Sequence, residues 1–390
     1  VFSSRLPHHL EPNALSLATT ALEAAGVDLL DLTETNPTNV GLAYSSDVLA
    51  CMSNPAAARY QPSAFGLLSA REAVAADYAR KGTPAAADRI VLTASTSEAY
   101  SLLFKLLCDP GDNVLVPQPS YPLFELLTAL DGVPASPYRL DYNGAWTIDR
   151  DSVEKAISAR TRAILAVSPN NPTGSMLRED DRDWLVGLCG ECTCALIVDE
   201  VFIDYPLAPR RDARSIVGED RALTFSLGGM SKSAGLPQVK LGWIVAGGPE
   251  PMVTKALSRL EVICDSYLSV STPVQLAAPA LIASGRVIRA AIAERLEQNL
   301  GQLRRRLTAS PSVTLLEPEG GWSAVLQVPA TEPEEALVMR LLKDEHVRVH
   351  PGYFFDFPRE AYLVVSLLPE PRVFATAIDR VLAAIEKGLS

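Results

Sequence analysis

The sequence predicts an α/β protein, a mostly parallel sheet covered by helices, followed by a smaller α+β unit. Three observations predict it. Residues 89–93, 113–117, 162–168 and 194–199 are short apolar runs without polar alternation, as expected of strands covered on both faces. Helical stretches lie between them, at residues 97–107, 121–130, 151–159 and 179–188. Toward the end the chain changes character. Strand candidates at 313–316, 323–328, 347–350 and 362–367 are mixed there with helices at 332–345 and 371–386.

In chain order, residues 1–44 combine prolines with a short amphipathic segment at 13–25 and an apolar stretch at 28–33. The turn chemistry of Thr35-Asn36-Pro37-Thr38-Asn39 follows. Strand–helix alternation sets in near residue 60. Residues 221–226 and 239–247 are two further strand candidates, separated by a Gly/Ser-rich turn that carries Lys232. A long helical region spans 249–309 and breaks near Ser269-Val-Ser-Thr-Pro273. Charges alternate along 286–307, which predicts a solvated helix connecting two domains.

Bulk properties bound the function. At 390 residues the chain fits a large domain plus a smaller one. A hydrophobic share of 48% with 21% charged residues is globular rather than disordered. The net charge of −11 argues against a general affinity for nucleic acid or anionic membranes. No apolar run approaches the roughly 20 residues that a membrane helix needs, and the start lacks a signal-peptide layout. Six scattered cysteines fit reduced thiols and a cytoplasmic setting. Cys189, Cys192 and Cys194 lack a nearby fourth ligand, so no metal site is expected.

Position is the informative property of the polar residues. Ser95-Thr96-Ser97-Glu98, Ser120-Tyr121, Asn170-Asn171, Asp199-Glu200 and Lys232 each fall just past the C-terminal end of a presumed strand. That is where open α/β sheets bind ligands. Ser95 to Glu98 fits a capping box, and the same helix start could hold a phosphate. Asp199 could keep a pyridine nitrogen protonated, and Tyr121 could be a plate for a planar ring. Asn171, between prolines 169 and 172, could reach a ring oxygen; Lys240 could be a second phosphate cation. Lys232, partly removed from water, could form a Schiff base with an aldehyde. A phosphate site, a ring platform, a pyridinium partner and a reactive lysine together describe pyridoxal 5′-phosphate.

With these residues in place, the chain resembles the class I/II aminotransferases of the aspartate aminotransferase superfamily, fold type I. The resemblance runs from about Asp31 to the C-terminus. It rests on Ser168-Pro-Asn-Asn-Pro-Thr-Gly174, on Asp199-Glu-Val, and on Ser231-Lys232 with Gly235-Leu-Pro before Lys240. It implies a seven-stranded, mostly parallel sheet in a large domain of residues 45–285, and a small domain from residues 1–44 and 286–390. It implies a homodimer with shared active sites, in which Tyr60 reaches the neighbouring subunit's cofactor phosphate. Lys232 would be the Schiff-base residue and proton shuttle, Asp199 the pyridinium partner and Asn171 the ligand of the phenolic oxygen. Tyr121 would stack on the ring, while Ser95, Thr96 and Lys240 bind phosphate, Lys240 standing where relatives usually have arginine.

The activity implied is transfer of an amino group between an amino acid and a 2-oxo acid. Alternatives on the same fold are a lyase, decarboxylase or oxidase, an amine transaminase whose donor lacks an α-carboxylate, or a cofactor-sensing regulator. Three departures stand out. Phe202 replaces a tyrosine that bonds the phenolic oxygen, with Tyr205 as a candidate substitute. Gly229 replaces a serine. Val364 stands where the substrate-carboxylate arginine belongs, so Arg5 is the first candidate to replace it, followed by Arg348 and His350.

Overall fold

The computed structural model describes residues 2–7, 10–208 and 214–389. The chain opens with α1 (Ala14–Ala24), capped by Asn13, and a two-residue strand β1 (Leu30–Asp31). Next come α2 (Leu68–Arg80), β2 (Ile90–Thr93), α3 (Thr96–Leu107), β3 (Asn113–Gln118), α4 (Leu123–Asp131), β4 (Ala135–Tyr142) and β5 (Trp146–Ile148). They are followed by α5 (Arg150–Ala156), β6 (Thr161–Val167), α6 (Glu179–Cys192), β7 (Ala195–Asp199), β8 (Thr224–Gly229), α7 (Met230–Ser233) and β9 (Gly242–Gly247). Then come α8 (Glu250–Asp265), α9 (Thr272–Leu307), β10 (Thr314–Leu316), β11 (Ser323–Gln327), α10 (Glu334–Asp344), β12 (Val347–Arg348), β13 (His350–Pro351), β14 (Tyr362–Ser366) and α11 (Pro371–Lys387).

The main sheet has the order β2-β9-β8-β7-β6-β3-β4-β5. It contains eight strands, not the expected seven. The extra one, Trp146–Ile148, folds back antiparallel on β4, pairing Trp146 with Tyr142 and Ile148 with Leu140. β7, β8 and β9 are buried throughout, which is why they read as unbroken apolar runs. β3, β4, β6, β7 and β8 are parallel to one another. β9 is antiparallel to both β8 and β2, so β2 shares the common direction. One edge of the sheet therefore collects the C-terminal ends of β2, β3, β6, β7 and β8 together with the N-terminal end of β9.

A second sheet, β10-β11-β14-β13, is antiparallel, and β1 pairs with β12 across the chain ends. Helix α9 packs against α2 and α11 and so lies along both regions. By length and composition alone it could cross a membrane, but 44% of its most apolar window is buried inside this protein. Its second half is not the solvated connector that alternating charge suggested. Ile288, Arg289, Ile292, Leu296, Asn299, Leu300 and Leu303 form a buried stripe at helical spacing, and Arg295 beside it is partly buried, donating to the Val40 and Leu368 carbonyls.

Candidate active site

Lys232 sits where β8 ends and the single turn of α7 begins. Two glycines make that junction possible. A Cβ on Gly228 would lie 2.4 Å from Trp243 Nε1, and one on Gly229 would lie 3.3 Å from the Leu241 carbonyl. The Lys232 amine points into a cavity of about 290 Å³, 4.7 Å from the centre of the Trp322 ring and 5.5 Å from that of Phe202. Burial lowers its pKa to about 8, partly opposed by the negative charges of Asp199 and Glu34.

Asp199, the last residue of β7, lines the same cavity and is buried. Its Oδ1 accepts from the Val201 amide at 3.1 Å and its Oδ2 from the Tyr100 hydroxyl at 3.0 Å. Burial raises the carboxyl to about 6, against the pull of those two hydrogen bonds. At neutral pH it is mostly ionised and fixed in orientation.

The third part of the cavity is an anion cradle. Ser95 caps α3, its Oγ accepting from the Glu98 amide at 3.1 Å, while Glu98 Oε2 accepts from the Ala94 amide at 2.6 Å. First-turn amides have no acceptor within their own helix and carry the positive end of its dipole. Ser95, Thr96, Ser97, Ser231 and Lys240 line this side. Lys240 adopts φ 56°, a left-handed conformation that turns the chain into β9. Gly242, the next residue but one, is pressed against the helix start. A Cβ there would lie 3.0 Å from the Ser95 carbonyl carbon and 3.2 Å from the Thr96 nitrogen.

Asn170 and Asn171 divide their work. The Asn170 side chain is a latch, donating to the Pro119 carbonyl and Thr173 Oγ1 and accepting from Ser120 Oγ at 2.8 Å. Asn171 lines the cavity, its Oδ1 3.4 Å from Ser323 Oγ. Tyr121 forms another wall, half exposed, edge-on to Phe124 at 6.4 Å.

Seven of the residues singled out by sequence thus share one cavity: Ser95, Thr96, Tyr121, Asn171, Asp199, Lys232 and Lys240. Ser97, Phe202, Gly229 and Ser231 line it as well, whereas Tyr60, Arg5, Arg348, His350 and Val364 do not. Tyr60 is 72% exposed and borders a separate depression with Tyr267. Arg5 is exposed and donates to the Leu130 carbonyl at 3.1 Å, capping the far end of α4. Arg348 pairs with Asp31 at 3.3 Å, because β1 and β12 set the two side by side. His350 lies against Phe354 and Phe355, and burial lowers its pKa to about 4. Val364 is buried between Val325 and His350 in the antiparallel sheet. Tyr205 does not replace the missing phenol, since its hydroxyl donates instead to the Lys232 carbonyl at 2.6 Å.

Sequence reading missed Tyr100, Thr35, Trp322 and Ser323. Tyr100 carried no signal, being one of several apolar residues on α3. Thr35 lay in a segment read only as a turn, and it lines the cavity beside Trp322.

Sheet, cavity and cradle define an α/β enzyme of PLP fold type I. Residues 31–373 match the family model for aminotransferase class I and II. The chain is 30% identical over 376 residues to the alanine aminotransferase of Mycobacterium tuberculosis, covering 92% of this chain and 86% of that protein. It is 26% identical over 358 residues to the glutamate–pyruvate aminotransferase AlaA of Escherichia coli, covering 89% and 88%. The solved structure of the alanine aminotransferase of Pyrococcus furiosus superimposes with a TM-score of 0.86 at 24% identity, over 96% of both chains. The chain belongs to the class I and II aminotransferases and is an aminotransferase. Enzymes of this family use pyridoxal phosphate. The donor set fits that group. The cavity offers amides, hydroxyls and a lysine for a phosphate, a buried carboxylate for a basic ring nitrogen and an amine for an aldehyde.

Proposed function

We propose that this chain moves an amino group between an amino acid and a 2-oxo acid, with Lys232 as the reactive amine. The supporting observation is that Lys232 and Asp199 share a cavity with the N-terminus of α3 and Lys240. Ser95, Thr96, Ser97 and Lys240 would hold the cofactor phosphate, Asp199 its ring nitrogen, Asn171 its phenolic oxygen and Tyr121 its ring face. When bound there, pyridoxal phosphate supplies an aldehyde that condenses with amines and a ring that takes up the electron pair left at the substrate carbon.

Lys232 does the proton work. An amine with pKa about 8 is about one-tenth neutral at pH 7, far more than an ordinary lysine, so it can accept the proton from the substrate carbon and return it. Asp199 stays ionised above about pH 6, which keeps a ring nitrogen opposite it protonated. Phe202 and Trp322 keep water off the amine.

Tyr60, exposed in one copy, supports a homodimer in which it completes the neighbouring copy's phosphate site. Sedimentation of the purified protein tests this; a monomer at micromolar concentration opposes it.

A second reading, a donor without an α-carboxylate, is favoured by one observation. Among the described residues, Lys232 and Lys240 are the only cations lining the cavity, and Val364 is buried away from it. Burying a carboxylate with no charged partner costs on the order of several kcal/mol. The test supplies alanine, glutamate or simple primary amines with a 2-oxo acid and weighs the products. A new amino acid formed one-for-one from an α-amino acid supports the first reading. Turnover of primary amines alone supports the second. Ammonia released without an acceptor contradicts both.

A further inference from the structure

Behind Lys232, on the side away from the cavity, three side chains from distant parts of the chain converge on one short backbone segment. The Tyr205 hydroxyl donates to the Lys232 carbonyl, Arg289 Nε to the Ser233 carbonyl and the Tyr44 hydroxyl to the Gly235 carbonyl, each at 2.6 Å. These carbonyls lie at the end of a helix only four residues long. Such a turn has almost no stability of its own, and its last carbonyls lack helical partners. Its place is therefore set by what grips it from outside.

The grip is itself braced. Arg289 is buried, 3.7 Å from Asp77 and 3.6 Å from Asp204, and these two acids are also paired with Arg80 and Lys81. Asp204 precedes Tyr205 in sequence, so the ion cluster and the Tyr205 bond share one loop. Helix α9 presses close to the turn. A Cβ on Gly285 would lie 2.4 Å from Ala234 Cβ, and one on Gly235, at φ +62°, would lie 2.6 Å from Ile288. There is no slack on that side.

We propose that Tyr205, Arg289 and Tyr44 are positioning residues for the amino-transfer reaction, fixing the backbone of residues 232–235 so that the Lys232 amine enters the cavity at a single place. This rests on Lys232 being the reactive amine. None of the three lines the cavity, so none can act on substrate except through Lys232.

Tyr205→Phe in the cofactor-loaded enzyme is the direct test, since it removes one oxygen and keeps the ring packed against Trp322. The Lys232 carbonyl then keeps only backbone donors among the described residues, the Gly235 amide at 3.2 Å and the Ala234 amide. The expected result is a fall in kcat of about tenfold with KM changed less than about twofold. A loosened turn also lets the amine reach water, relaxing its lowered pKa. In the holoenzyme that nitrogen is held as an imine with the cofactor, and wider access of water favours its charged form as well, so the pH midpoint of the visible absorbance should rise by about half a unit or more. Asp199 on β7, Glu34 in the loop before Thr35 and Lys240 before β9 also face the cavity region and are unchanged in the variant. Tyr44→Phe should act in the same direction, and Arg289→Lys should retain more activity than Arg289→Met. A lower melting temperature with unchanged kcat and unchanged absorbance midpoint would show that these bonds only stabilise the fold, and would overturn the proposal. Borohydride reduction of the wild type tests the underlying reading separately. Fixation of the cofactor on a lysine other than Lys232 would overturn that reading, and the proposal with it, whatever the variants do.

Discussion

Replacing Asp199 by asparagine should make the cofactor-free protein more stable at neutral pH while weakening its hold on the cofactor. Burial puts the Asp199 carboxyl at about 6 in the folded chain, against an ordinary 3.8. A gap of that size corresponds to about 3 kcal/mol between the protonation states. The folded-state pKa is the higher one, so the folded protein holds this proton more tightly than the unfolded chain. The stabilisation is complete below about pH 4 and is lost as pH rises through 6. Asparagine has no such proton. Its carbonyl can accept from the Val201 amide, and its amide can donate to a Tyr100 hydroxyl turned to accept, so neither partner is stranded. Lys232, with its pKa near 8, is mostly charged across this window; the variant removes the Asp199 charge that supports it, which lowers that pKa further and trims the gain near pH 7.5. Urea unfolding of the two cofactor-free proteins between pH 4 and 7.5 is the assay. The variant should gain about 1–3 kcal/mol over wild type at pH 7.5 and nothing at pH 4. A stability difference that stays constant with pH would refute the assignment of a costly buried charge to Asp199.

Three further outcomes follow from the geometry. Lys232→Ala should still bind pyridoxal phosphate but lose transamination and covalent fixation by borohydride; fixation surviving in the variant contradicts the assignment. Gly242→Ala drives a Cβ to 3.0 Å from the Ser95 carbonyl carbon and Thr93 Oγ1, parting β9 from the start of α3. The cofactor dissociation constant should rise about tenfold or more, a cost of roughly 1–3 kcal/mol, and an unchanged constant in absorbance titration would remove this cradle from the phosphate site. Arg5→Ala should leave kcat/KM for amino-acid donors within about twofold, because Arg5 caps α4 at Leu130 and does not line the cavity. A tenfold loss would show that the N-terminal segment closes over the substrate during turnover.

Much of the site was legible because a parallel sheet leaves a simple trace. Strands buried on both faces read as unbroken apolar runs, and the polar residue that ends each run falls at the ligand edge. That pattern puts Asp199 and Lys232 at the ligand edge, while the roles expected of them come from the motifs read together and from the family resemblance. Partners that meet only in three dimensions left no such trace. Tyr100 and Asp199 are 99 residues apart, and α3 buries Tyr100 among Ala99, Leu102, Leu103 and Phe104. The eighth strand, Trp146–Ile148, is too short for any periodicity to declare itself. Arg348 looked free in the sequence, and a two-residue parallel pairing across 317 positions supplies Asp31 as its partner.

Arg289 is a different case, because its signal was present and pointed the other way. Alternating charge along 286–307 suggested a helix bathed in solvent, yet Ile288, Ile292, Leu296, Leu300 and Leu303 recur at the spacing of one buried face. Arg289 falls on that face. A guanidinium at such a position must find acids and carbonyls or destabilise the helix that carries it. It finds Asp77 and Asp204 and, through Nε, the Ser233 carbonyl next to Lys232. A charged residue on the apolar stripe of an otherwise ordinary amphipathic helix is thus a local inconsistency that the sequence does display. Here it marks where the long helix meets the turn that carries the Lys232 amine.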